Sequence, residues 1–90
     1  MKLNNGFELR AICGENVIVA SGLENIDFSK IISVNETAAY MWNTAVELGD
    51  FTAEQLADAL CREYEVERTQ ALDDVKQTLQ QWVEIGLAKE

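Results

Sequence analysis

An α+β fold, with a three-stranded antiparallel sheet followed by three helices, is what this sequence predicts. Three observations lead there. Apolar alternation of period two is confined to the first third of the chain. Beyond residue 36 the apolar positions recur at helical spacing instead. Between these regions, Val34-Asn35-Glu36 converts a strand into a capped helix within one residue. Asn35 is a good N-cap because its side-chain oxygen can accept from an orphan helix N–H. Glu36 then sets a negative charge near the positive end of the helix.

Taken in order, Phe7, Leu9, Ala11 and Cys13 alternate with Glu8, Arg10 and Ile12 as in a half-buried strand. Gly14-Glu15 reads as a two-residue type II′ hairpin turn, with glycine first. Asn16 to Ala20 makes the return strand, and residues 21 to 25 a connection. A short alternation over residues 26 to 29 is interrupted by Asp27, so the third strand is placed over Lys30 to Val34.

The first helix is expected from Glu36 to Leu48, with Gly49 as an αL cap. Its inward stripe reads Ala38, Ala39, Trp42, Ala45 and Val46. Thr52 and Gln55 form a capping box for the second helix, and Phe51 can staple onto Leu56. Leu60 and Tyr64 continue that face. The third helix spans Thr69 to Ile85, with Leu72, Val75, Leu79, Trp82 and Val83 at helical spacing. Gly86 ends it, and Leu87 folds back on Trp82 in a Schellman stop. No proline or repeat interrupts the chain, so residues 1–90 read as one domain. Together the elements fit a winged helix-turn-helix-like architecture.

Bulk properties narrow the function. Hydrophobic residues make up 48% of the chain, enough for a core rather than disorder. No run approaches the roughly 20 apolar residues a membrane span needs. The opening residues carry one lysine and no apolar stretch, so no signal peptide is read there. Cys13 and Cys61 stand far apart and, with no histidine in the chain, do not make a zinc set. They read as reduced core thiols of a cytoplasmic protein. Net charge is −9, distributed unevenly. Residues 35–90 hold four basic and twelve acidic side chains, a net of −8. Such a layer repels phosphate backbones and favours basic protein or peptide surfaces.

Catalysis has little to work with. Without histidine, the commonest general base is missing. The five glycines sit singly at turns rather than in a phosphate loop. Neither cysteine has a base nearby in sequence. Asp73-Asp74 is the sole adjacent carboxylate pair, and it reads as first-turn acids facing the helix dipole rather than a cation site. A phosphopantetheine-type carrier is excluded by the lack of an Asp-Ser pair at a helix start. No enzyme activity and no cofactor are therefore expected.

The run Val34-Asn35-Glu36-Thr37-Ala38-Ala39-Tyr40-Met41-Trp42 carries a family resemblance. It continues through Leu56-Ala57-Asp58-Ala59-Leu60, Glu63-Tyr64-Glu65-Val66, Asp74-Val75 and Gly86-Leu87-Ala88. Leu9-Arg10 and Val17-Ile18-Val19 also fit. In these residues the chain resembles the PqqD family, small proteins associated with pyrroloquinoline quinone biosynthesis. That family overlaps with the peptide-recognition elements of ribosomally made, modified peptides.

The resemblance implies binding without catalysis. A leader peptide joins the sheet beside the third strand, packs against the third helix, and is presented to a modifying enzyme, often a radical S-adenosylmethionine (radical SAM) protein. The mechanism is strand addition, in which an open sheet edge offers N–H and C=O groups to an extended segment. Carried onto this chain, the peptide-binding residues are Lys30, Ile31, Ile32, Ser33 and Val34, with Asp74, Gln77, Thr78, Gln81 and Trp82. Trp82 would offer an apolar platform, and Asp74 a partner for a basic or amide group. An open edge also permits a homodimer. Two other readings compete: a winged-helix transcriptional regulator, and an interaction module for the modifying enzyme that never touches the peptide. The regulator needs a basic recognition helix. Residues 69 to 85 carry only Lys76 among basic side chains, against Asp73, Asp74 and Glu84.

Overall fold

The hairpin that starts the main sheet turns one residue earlier than the sequence suggests. In the computed structural model, which describes residues 1–20 and 31–90, strand β2 (Phe7–Ile12) pairs antiparallel with β3 (Glu15–Ala20). The register sets Ile12 opposite Glu15, so the two-residue loop is Cys13-Gly14 rather than Gly14-Glu15. Both loop residues have positive φ, 53° at Cys13 and 80° at Gly14. That is a type I′ turn, which needs positive φ at both central residues, rather than the expected II′ form. Cys13 is thereby moved from the expected core to an exposed hairpin tip, while Cys61 is half-buried.

The turn offers a direct test. Asparagine tolerates positive φ, and Asn-Gly is the preferred I′ pair. Cys13→Asn is expected to recover part of the backbone strain, about 0.5–1 kcal/mol. Thermal unfolding followed by circular dichroism should then rise by roughly 3 °C or more. A lower midpoint would rule out the I′ turn.

β3 also pairs antiparallel with β4 (Ile32–Val34), giving a three-stranded sheet of order β2-β3-β4. Ile31 lies just before β4, and the expected elements over residues 21 to 30, Lys30 included, fall outside the described residues. The sheet is followed by helices α1 (Glu36–Leu48), α2 (Ala53–Glu63) and α3 (Arg68–Glu84), an α+β fold.

Local chemistry explains the helix boundaries. The Ala38 N–H donates to Asn35 Oδ1 at 2.8 Å, so the strand-to-helix switch rests on the expected cap. The Thr52–Gln55 capping box is complete, with bonds of 2.9 and 3.2 Å in the two directions. Phe51 and Leu56, the expected staple pair, are both fully buried in the core cluster. At the end of α3, the Leu87 N–H donates to Trp82 O at 2.7 Å and the Gly86 N–H to Val83 O at 3.2 Å. With Gly86 at φ 85°, this is the Schellman arrangement.

Four local expectations are corrected. Gly49 has φ 75° and ψ −78°, not αL, and the Asp50 N–H bonds to Leu48 O at 3.0 Å. This is a γ-turn of the rare hand, which glycine enters without a Cβ penalty. Val46 is 59% exposed, because the buried stripe of α1 runs through Ala39, Met41, Trp42 and Ala45 instead. Val83 likewise points outward while Ala71, Val75, Leu79 and Trp82 go in. Finally, α3 starts at Arg68 behind Glu67, so Asp73 and Asp74 lie in its second turn and no acid occupies the first.

A second sheet went unforeseen. β1 (Lys2–Leu3) pairs antiparallel with β5 (Ala88–Lys89), and the Asn4 N–H donates to Leu87 O at 2.8 Å. Phe51 N–H also donates to Met1 O at 2.8 Å, so one short segment stitches the end of α3 to the α1–α2 turn. The core beneath gathers Ile18 from the sheet with Trp42, Phe51, Leu56, Val75 and Trp82. Trp42 and Trp82 meet edge to face, their ring centroids 5.5 Å apart. Among the described residues, no helix is long and apolar enough to cross a membrane.

Candidate functional site

The site is built where the shortest main-sheet strand comes beside the longest helix. β4 is the border of its sheet, and among the described residues its only strand partner is β3. No described strand therefore lies beside its outer N–H and C=O groups, which is the condition for strand addition. Between β4 and α3 lies a cavity of about 440 Å³.

Helical spacing explains one wall. Asp74, Thr78, Gln81 and Ile85 stand at i, i+4, i+7 and i+11, so they share one face of α3 and its end, with Gln77 alongside. The neighbouring face, through Val75 and Leu79, is spent on the core. The opposite wall is Ile32, Ser33 and Val34, continued by Asn35, Thr37 and Ala38 at the start of α1. Buried Met41, Leu60, Ala71 and Trp82 form an apolar floor. Val66 and Ile85, both exposed, add apolar surface near the two ends of α3.

The electrostatics are one-sided. Asp74 is exposed and accepts from Gln70 Nε2 at 3.0 Å. Tyr64 stacks edge to face on Tyr40 at 5.8 Å. Its phenol is pushed above the ordinary tyrosine range, first by desolvation, then by the charges of Glu36 and Glu63 and by hydrogen bonding to Glu36. Among the described residues, no three His, Cys, Asp or Glu side chains are grouped as a metal set.

Of the residues singled out in sequence, the cavity gathers Ile32, Ser33, Val34, Asp74, Gln77, Thr78, Gln81 and Trp82. Trp82 contributes from below, being only 3% exposed. Ile31 is half-buried but does not line the cavity, and Lys30 falls outside the described residues. The sequence reading gave no site role to Asn35, Thr37, Met41, Tyr64, Val66 or Ile85. Most were visible in the quoted family runs, but read there as caps or scaffold. Only the meeting of α1, α2 and α3 shows that they line one cavity.

Comparison with known proteins adds the following. The family described as "Coenzyme PQQ synthesis protein D (PqqD)" matches residues 15–88. Two solved structures share the fold, each with a TM-score of 0.74. One is TbiB1 in complex with the TbiA(beta) leader peptide, 21% identical, with 97% of this chain and 93% of that chain covered. The other is a lasso peptide synthetase B1 complexed with the leader peptide, 22% identical, with 99% and 96% covered. No curated protein matches. With the family match spanning most of its length, from the start of β3 to the start of β5, this chain belongs to the PqqD family.

Proposed function

We propose that this protein is a non-catalytic peptide chaperone, with residues 1–90 acting as one binding domain. It captures the leader of a ribosomally made precursor by strand addition to β4 and presents it to a modifying enzyme. The enzyme class expected from the family resemblance is a radical SAM maturase. The observation that carries the reading is the outer edge of β4, which has no strand partner among the described residues and borders the cavity along α3. Backbone pairing to Ile32–Val34 supplies affinity that tolerates many sequences, and side chains entering the cavity supply selectivity. Family membership and the two similar folds, described with leader peptides bound, support it. Both cysteines are free thiols, in keeping with action in the cytoplasm.

An amide NMR titration with the leader of a candidate precursor tests this. Shifts are expected to concentrate at Ile32–Val34 and along Asp74–Gln81, with slowed amide exchange in β4. Saturable binding whose shifts map instead to the exposed α1–α2 surface would refute strand addition.

A further inference from the structure

Among the described residues, the cavity carries one formal charge, and that charge is negative. Asp74 is the only Asp, Glu, Lys or Arg of its described lining. The two basic residues of α3 are engaged elsewhere. Arg68 pairs with Asp58 at 2.7 Å, and Lys76 lines a separate cleft with Glu84 and Glu90. Asp74 sits in the N-terminal half of α3, which packs back along α2, toward Leu60 and Tyr64. Tyr64 in turn feels Glu36, two residues beyond the end of β4. Negative charge at the groove thus comes from Asp74 in its lining and from Glu36 beside Tyr64. The remainder of the groove, toward Trp82 and Ile85, is apolar or neutral.

We propose that the segment this groove accepts is cationic at one fixed place: a Lys or Arg of the added strand faces Asp74, and apolar side chains cover the floor toward Trp82. The inference rests on the groove being the peptide site. Physically, a carboxylate with one oxygen held by Gln70 keeps its second oxygen for a donor, and a cation is its best partner. The wider acidic helical layer adds long-range attraction for the same sign of peptide. An acidic residue at that position would meet repulsion with no cation among the described lining residues to relieve it.

The test uses a random 15-residue mRNA-display library, selected in parallel against the native protein, Asp74→Asn and Thr78→Trp. Thr78→Trp fills the groove without altering its charge; Gln81→Trp serves should the first variant fail to fold. Peptides retained by the native protein are expected to be lost on the blocked variant. They should carry Lys or Arg at one place relative to their apolar residues, and that preference should vanish with Asp74→Asn. A single selected peptide should bind Asp74→Asn about fivefold more weakly at low salt, the upper end for an exposed ion pair. The difference should shrink as salt is raised. Peptides lost on the blocked variant, yet with basic residues at library frequency and no response to Asp74→Asn, overturn the charge rule and leave the groove reading standing. Peptides indifferent to groove filling overturn both.

Discussion

Trp82→Ala is expected to lower the midpoint of thermal unfolding by roughly 15 °C or more. Trp82 is 3% exposed and packs edge to face on Trp42 in the core cluster. It lies beneath the groove and supplies the carbonyl that closes the Schellman stop with Leu87. Truncating a buried tryptophan costs about 3–5 kcal/mol, from lost transfer energy and the void left behind. A domain of this length holds about 5–13 kcal/mol in all. The one change therefore removes about a quarter of the total or more. Trp82→Phe keeps much of the apolar area and the ring-to-ring contact, and should recover most of the loss. Thermal unfolding followed by far-ultraviolet circular dichroism measures both. A shift below about 5 °C for the alanine variant would mean that the two indoles do not anchor the core.

Thr78→Trp carries the largest expected effect on binding. Thr78 is half-buried, lines the cavity, and stands one turn from Asp74 and nearly one from Gln81. A bulky neutral side chain there occupies the space an added strand must enter, while the opposite face of α3 keeps its packing. Each backbone hydrogen bond contributes a net of about 0.5–1.5 kcal/mol. Losing two or three along the three residues of β4 corresponds to weakening on the order of 50-fold. Gln80→Trp is the matched control, because Gln80 is exposed and lines a different cleft on the other side of α3. Fluorescence anisotropy with a labelled leader should show the first variant losing binding and the second retaining it. Equal affinities for the two variants would move the peptide off this groove.

Much of the fold was legible because its signals are local. Asn35 caps α1 through a bond to a residue three positions on, and Thr52 with Gln55 does the same for α2. Gly86 and Leu87 close α3 on carbonyls within five residues. The misreadings came where two local solutions compete closely. Gly14 suits either a II′ turn beginning at Gly14 or an I′ turn ending there, and the pairing of Ile12 with Glu15 chose the second. Val46 and Val83 look inward on hydropathy alone, yet Met41 and Ala71 hold the core-facing places.

Strand and helix periods, caps and stops were thus determined by the amino-acid sequence itself, since each depends on atoms a few residues apart. The acidic bias of the helical layer was determined the same way, by composition. Tertiary structure alone decided that Lys2–Leu3 should pair with Ala88–Lys89, because two-residue strands carry no period to read. It alone decided that Tyr64, Asp74 and Val34 should border one cavity. Such meetings depend on how α2 and α3 fold back against the sheet to bury Trp42, Leu56 and Val75, a long-range packing choice that no short stretch of sequence encodes.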